Sequence, residues 1–224
     1  MTMDPALVHQ LVRAIEQKDL STAAHTWRVV LYTRAMMEAA GFDHDSIHAG
    51  TYAAALHDVG KLDLPTAILQ KPGKLTEEEF EAIKLHPVAG YARMVSHDIE
   101  DQPVLDLIRF HHERWDGLGY PYGLAGDDIP IGARYFAVID TFDALTSVRP
   151  YREKIGERAA EEAIAILEDG SGTRYWVEAV DAFKSLYREG MLDFILHYFN
   201  DDVPVPEFHH QRIEQEERLR RRSG

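Results

Sequence analysis

Two neighbouring side chains, His57 and Asp58, stand at the end of the apolar run Ala53-Ala54-Ala55-Leu56, with Gly60 and Lys61 just behind them. Both side chains ligate metals. Adjacent residues on a helix point about 100° apart, so an imidazole and a carboxylate there can lean toward one ion, and the carboxylate has a second oxygen for another. Imidazole and carboxylate suit iron, manganese, zinc or nickel better than a soft thiolate site would. The chain has no cysteine, which excludes disulfides and thiolate sites. Taken alone, the pair reads as a solvated or helix-capping one.

Other residues of the same chemistry change its weight. The chain has 12 histidines. His25, His86, His111, His112 and Asp140 each lie on, or at the end of, a segment with helical apolar spacing, and helices are rigid mounts for a site inside a bundle. Each has a bland reading: His25 a satisfied core histidine, His86 a boundary residue before Pro87, His111-His112 an exposed polar pair, Asp140 a cap. As a set with His57 and Asp58 they make five histidines and two aspartates, which suits two ions sharing a carboxylate. His9, His44, His48, His97, His197, His209 and His210 lack such company and read as surface or structural residues.

The elements that must position these residues are helical. Asp4-Pro5 starts a helix with Asp as N-cap and Pro in the first turn, and Leu7, Val8, Leu11, Val12 and Ile15 form its apolar face. A second helix is expected from about Thr22 to Ala40, stopped by Gly41, and a third from His48 to Asp58, ending at Gly60. Residues 62–75 read as loop with one short turn. Thr76-Glu77-Glu78-Glu79 is a capping box. Further helices are expected over Val88–Ser96, Pro103–His112, a long span opened by Pro130, Glu157–Leu167 and Val177–Phe199. Residues 115–123 form a glycine-rich loop. No period-2 alternation is long enough for a sheet, so the class is all-α.

Composition bounds the rest. At 224 residues the chain can bury one sizeable core. The net charge of −14 argues against a nucleic-acid duplex as partner, which needs a basic stripe; a small anion remains possible, because bound metals reverse the local field. No run of 18 apolar residues spans a membrane, and the first residues lack the pattern of a signal peptide. These features and the lack of cysteine fit a cytoplasmic protein.

The ordered motifs His57-Asp58-Val59-Gly60-Lys61, Lys71-Pro72-Gly73-Lys74-Leu75-Thr76, His86-Pro87, His111-His112-Glu113-Arg114-Trp115-Asp116-Gly117-Leu118-Gly119-Tyr120-Pro121 and Asp140-Thr141-Phe142-Asp143-Ala144-Leu145-Thr146-Ser147, followed by Arg149-Pro150-Tyr151-Arg152, resemble the HD-GYP family. That family is a branch of the HD-domain metal-dependent phosphohydrolases. The resemblance covers roughly residues 5–200. It implies an HD-domain-like helical bundle, with a metal centre between helices that hydrolyses cyclic di-GMP, a bacterial second messenger. The boundaries expected from it are a catalytic domain over 1–200 and a polar tail over 201–224, in a stand-alone catalytic domain or a fragment of a longer protein.

Carried over residue by residue, the resemblance implies that His25, His57, Asp58, His86, His111, His112 and Asp140 are metal ligands, with Asp58 as bridge. His86, His111 and His112 would hold one ion, and His57, Asp140 and His25 the other. It implies that Lys61 reaches the scissile phosphate or the attacking water, and that Arg149 and Arg152 contact phosphate and guanine. Members with three metals carry a glutamate one helical turn before the first histidine. Ser21 stands there, so two divalent ions are expected, iron or manganese before zinc or nickel. The implied reaction is in-line attack by a metal-bridging hydroxide, ending mainly at pGpG. The Gly119-Tyr120-Pro121 loop would offer a surface to a GGDEF-type cyclase. Two rival readings stand beside it. One is another nucleotide phosphohydrolase, against which His86, His111-His112 and the Arg149–Arg152 run weigh because the minimal HD set needs none of them. The other is a cyclic-dinucleotide receptor with little turnover, which the motifs do not separate from an enzyme.

Overall fold

The computed structural model describes residues 3–19, 23–147 and 157–198. Among them are eleven α-helices: α1 (Pro5–Lys18), α2 (Ala23–Ala39), α3 (His44–Leu56), α4 (Thr66–Leu69), α5 (Glu77–Ile83), α6 (His86–Ser96), α7 (Gln102–Phe110), α8 (Ile131–Thr146), α9 (Glu157–Asp169), α10 (Val177–Arg188) and α11 (Asp193–Tyr198). Two short 3₁₀ turns, Val59–Asp63 and Gly126–Asp128, join them. The described residues contain no strand, and the all-α class holds.

Several boundaries follow from side chains that satisfy the orphan N–H groups of a first helical turn. Asp4 accepts from the Ala6 N–H at 2.9 Å, Asp43 from Ser46 at 2.8 Å and Asp101 from Val104 at 3.3 Å. Thr76 and Glu79 cap each other reciprocally, as the sequence predicts. Gly41 ends the α2 segment at φ 76°, a left-handed conformation that glycine adopts without steric cost.

The core is built on α2, α3 and α8. Ala53, Ala54, Ala55 and Leu56 of α3 are all buried. The small side chains of the three alanines let α2 and α7 pack closely on α3, because helix separation is set by the residues at the contact. Tyr32 of α2 meets Phe142 of α8 and Phe183 of α10 edge to face, with centroid separations of 5.6 and 5.8 Å, a preferred aromatic geometry, and the two phenylalanine rings lie tilted at 4.8 Å. This cluster joins the C-terminal helices to the central ones.

Two sequence expectations need correction. The third helix begins at His44 and stops at Leu56, so His57 and Asp58 lie just past its end. Asp58 sits at φ −91°, ψ 7°, a sparsely populated region in which many active-site residues are found. The helix expected over Val177–Phe199 is interrupted between Arg188 and Asp193. Gly190 there adopts φ 70° and turns the chain.

The 3₁₀ turn after Asp58 packs directly on the start of α6. A Cβ on Gly60 would collide with the His86 carbonyl oxygen and lie 2.5 Å from the Gly90 nitrogen, both backbone atoms that cannot rotate away. Gly60→Ala should therefore destabilise the metal-free protein by about 3 kcal/mol. Gly132→Ala has nothing within 4 Å of its new Cβ and should be neutral or stabilising by up to about 1 kcal/mol. Denaturant melts of both variants check this; equal midpoints would contradict the close approach.

Candidate metal centre

Helix ends build most of the site. The last turn of an α-helix leaves carbonyls without an intrahelical partner. Three histidines donate Nδ1–H to such a carbonyl three residues earlier: His57 to Ala54 at 2.7 Å, His86 to Ile83 at 2.7 Å and His111 to Ile108 at 2.9 Å. These carbonyls belong to the ends of α3, α5 and α7. With Nδ1 donating, the neutral ring carries its lone pair on Nε2. All three Nε2 atoms turn into one buried space.

Asp58 lies at the centre, 4% exposed. Its two oxygens face different partners: Oδ2 is 3.3 Å from His57 Nε2, and Oδ1 is 3.3 Å from His86 Nε2. On one side His86, His111 and His112 offer ligand atoms within 4.8 Å of one another, and on the other His25, His57 and Asp58 do the same. Asp140, inside α8, approaches the second group, with Oδ1 3.5 Å from His25 Nε2. The structure thus brings together all seven residues selected from the sequence as candidate ligands. Arg149, Arg152, Ser21 and the tail over 201–224 lie outside the described residues.

The charge balance suits a cation. His86 Nε2 and His111 Nε2 are 3.2 Å apart, and His25 Nε2 and His57 Nε2 are 3.3 Å apart. Lone pairs meeting at that distance repel unless a proton or a metal ion lies between them. Burial pushes His111 well down, helped by His112, and brings His112 down to about 3. Both rings are therefore neutral at pH 7, the form that ligates. Burial also lowers His57, but Asp58 and Asp140 outweigh it and raise the net value. The site draws positive charge toward Asp58. The donors are nitrogen and oxygen only, which fits first-row divalent metals.

Lys61 closes the site on one side. Its ammonium donates to Asp58 Oδ2 at 2.7 Å and to Asp19 Oδ2 at 3.4 Å. Burial alone would lower its pKa, but Asp58 and Asp19 raise it, so the group stays charged. Asp58 in turn would be raised by burial, yet Lys61 and His57 hold it well below the usual carboxylate range.

The glycine-rich loop packs on the centre through His112. The Tyr120 ring lies 4.7 Å from the His112 ring at 30°, and the Tyr120 N–H donates to the His112 carbonyl at 3.1 Å. A Cβ on Gly119 would collide with the backbone of Glu113 and Arg114, so the loop comes this close only with glycine there. The buried Glu113 carboxylate accepts the Tyr122 and Leu124 N–H groups at 2.7 and 3.0 Å. Burial raises the Tyr120 hydroxyl, with Asp58 and Asp140 adding to it, so it remains protonated.

Sequence reasoning gave no role to four residues that the structure puts around the centre: Asp19, Glu113, Arg28 and Asp143. Arg28 and Asp143 stand three residues after His25 and Asp140, a spacing that shares a helix face. That periodicity is the signal by which they could have been found.

The HD domain family model matches residues 9–177. The chain is 42% identical over 178 residues to a protein of Thermotoga maritima named cyclic di-GMP phosphodiesterase, covering 78% of this chain and 47% of that protein. It is 38% identical over 161 residues to the 3'3'-cGAMP-specific phosphodiesterase 2 of Vibrio cholerae, covering 71% of this chain and 31% of that one. The chain thus spans less than half the length of these two relatives. A solved cyclic GMP-AMP-specific phosphodiesterase of Vibrio cholerae, V-cGAP3, shares the fold with a TM-score of 0.64 at 15% identity, over 85% of this chain and 50% of that one. A buried cluster of histidine and aspartate between helices, the ordered motifs and these matches lead to one assignment: the chain belongs to the HD-domain family, in its HD-GYP branch.

Proposed function

We propose that the chain is the catalytic domain of a metal-dependent phosphodiesterase that opens cyclic di-GMP mainly to pGpG. The observation that carries this reading is the Asp58 carboxylate, whose two oxygens face two separate donor sets at 3.3 Å each. His86, His111 and His112 would hold one ion, and His25, His57 and Asp140 the other, with Asp58 shared. Two divalent ions, iron or manganese, would supply Lewis acidity and an activated water when bound.

The chain's own residues account for the rest. Lys61, charged and pinned between Asp58 and Asp19, would offset negative charge that builds on the phosphate oxygens. It costs little reorganisation because it is already in place. Arg149 and Arg152 would bind the remaining phosphate oxygens or stack on guanine. The Tyr120 hydroxyl, kept protonated, can donate a hydrogen bond but cannot act as a base near neutrality. The names of the relatives support cyclic dinucleotides as the substrate class, and a 3'3'-cGAMP reading competes within that class.

The test is product analysis. Protein purified without oxygen and loaded with iron or manganese should convert cyclic di-GMP to pGpG faster than it opens 3'3'-cGAMP. Binding without linear product would make the chain a receptor, and a preference for 3'3'-cGAMP would move the substrate. Metal analysis should give two ions per chain.

Asp58→Ala should remove both ions and the hydrolysis, because it takes a ligand from both donor sets. Two ions per chain in that variant, measured by elemental analysis, would defeat the bridging assignment. Lys61→Ala should keep both ions and slow turnover by about 100-fold or more, the loss typical of a removed charge-stabilising donor. Equal loss of metal and activity would instead make Lys61 structural.

A further inference from the structure

His25 is oriented differently from His57, His86 and His111. Its Nδ1 meets a carboxylate, Asp143 Oδ2, at 2.7 Å. Asp143 is fully buried. Its other side-chain partners are Arg28 and Ser147: Arg28 Nε donates to Oδ1 at 2.6 Å, Arg28 Nη2 to Oδ2 at 3.2 Å, and Ser147 Oγ to Oδ2 at 2.9 Å. Arginine is always protonated and can only donate. The carboxylate beside it is therefore an anion with no proton to give, and His25 Nδ1 must be the donor.

We propose that Asp143 is the positioning residue of the His25 side of the centre: clamped by Arg28, it fixes the His25 tautomer whose unprotonated Nε2 points at His57 and Asp140. This rests on the metal-centre reading of the same site. Imidazole ligands of metals usually donate their other N–H to such a partner, and its loss typically costs 10–100-fold in metal affinity.

Arg28 makes the inference testable in a way that a structural role for Asp143 does not share. In Asp143→Asn the amide oxygen is expected to stay with Arg28 Nε, the shorter guanidinium contact at 2.6 Å against 3.2 Å for Nη2, because arginine can only donate whereas His25 can change tautomer. Its NH₂ then turns to His25. Nδ1 then has to accept, the ring proton moves to Nε2, and the ligand lone pair is lost. In the double variant Arg28→Met/Asp143→Asn nothing demands that orientation. The amide is free to turn its oxygen to His25 Nδ1–H, and the buried charge is gone as well.

The experiment loads the full chain and both variants with manganese, counts ions per chain and records the electron paramagnetic resonance spectrum. Melts of the metal-free proteins run alongside. The unaltered chain should hold two exchange-coupled ions. Asp143→Asn should hold one, with the six-line signal of isolated manganese and affinity for the second ion lowered about 10- to 100-fold. The double variant should regain the coupled pair. Two ions at unchanged affinity in Asp143→Asn overturns the inference, as does a double variant that melts normally yet holds one. If Asp143→Asn fails to fold, the double variant decides by the same count. An unaltered chain without any bound pair would instead overturn the metal-centre reading itself, and the inference with it.

Discussion

A buried carboxylate holds this structure's chemistry together. Asp58 is removed from solvent, and an isolated carboxylate in such surroundings would take up a proton. It stays ionised because a lysine ammonium sits 2.7 Å away and the imidazoles of His57 and His86 approach from either side. His111 and His112, kept neutral by burial, complete its surroundings. Such an arrangement is costly without a cation, and burial of this kind is how active sites tune their groups.

The helices around it are placed to serve that carboxylate. The same local device appears at the ends of α3, α5 and α7: a histidine donates Nδ1–H to a carbonyl three residues back that the finished helix leaves unpaired. One hydrogen bond satisfies an orphan acceptor and fixes a ring and its tautomer. Helix termination and ligand orientation are thus the same event. The spacing between the two donor sets is held by backbone packing between Gly60 and the start of α6, where there is no side chain to yield. A centre mounted this way is rigid on both sides of Asp58, as a shared ligand requires.

Much of this was legible in the sequence. The caps at Asp4 and Thr76, the stop at Gly41 and the all-α class follow from local propensity and periodicity, which do not depend on distant partners. The seven candidate ligands were found by residue type and company. What the sequence hid was of two kinds. Helix ends were misplaced where apolar periodicity runs on past the true boundary, as from Leu56 into His57-Asp58 and across Gly190, because the pattern is blind to the carbonyl–imidazole bonds and left-handed turns that end the helix. Residues that act through another residue were also missed. Asp143 lies 118 positions from His25 and 115 from Arg28; its place three residues after Asp140 puts it on that residue's helix face, but does not name those distant partners.

The anchors set His25 apart from the other rings: His57, in the same half of the centre, also hangs on a backbone carbonyl. His86 and His111 hang on backbone carbonyls, which no substitution of a side chain removes. His25 hangs on a carboxylate that is itself held by an arginine and a serine from two helices, α2 and the end of α8. Carboxylate anchoring makes the ring a stronger donor, but it exposes that ligand to change at three other positions. The same cluster joins α2 to the end of α8, after which the chain runs on to Arg149 and Arg152. His25 is therefore the ligand at which alterations in packing between α2 and α8 are felt first, while His57, His86 and His111 are insulated by the helix ends that carry them.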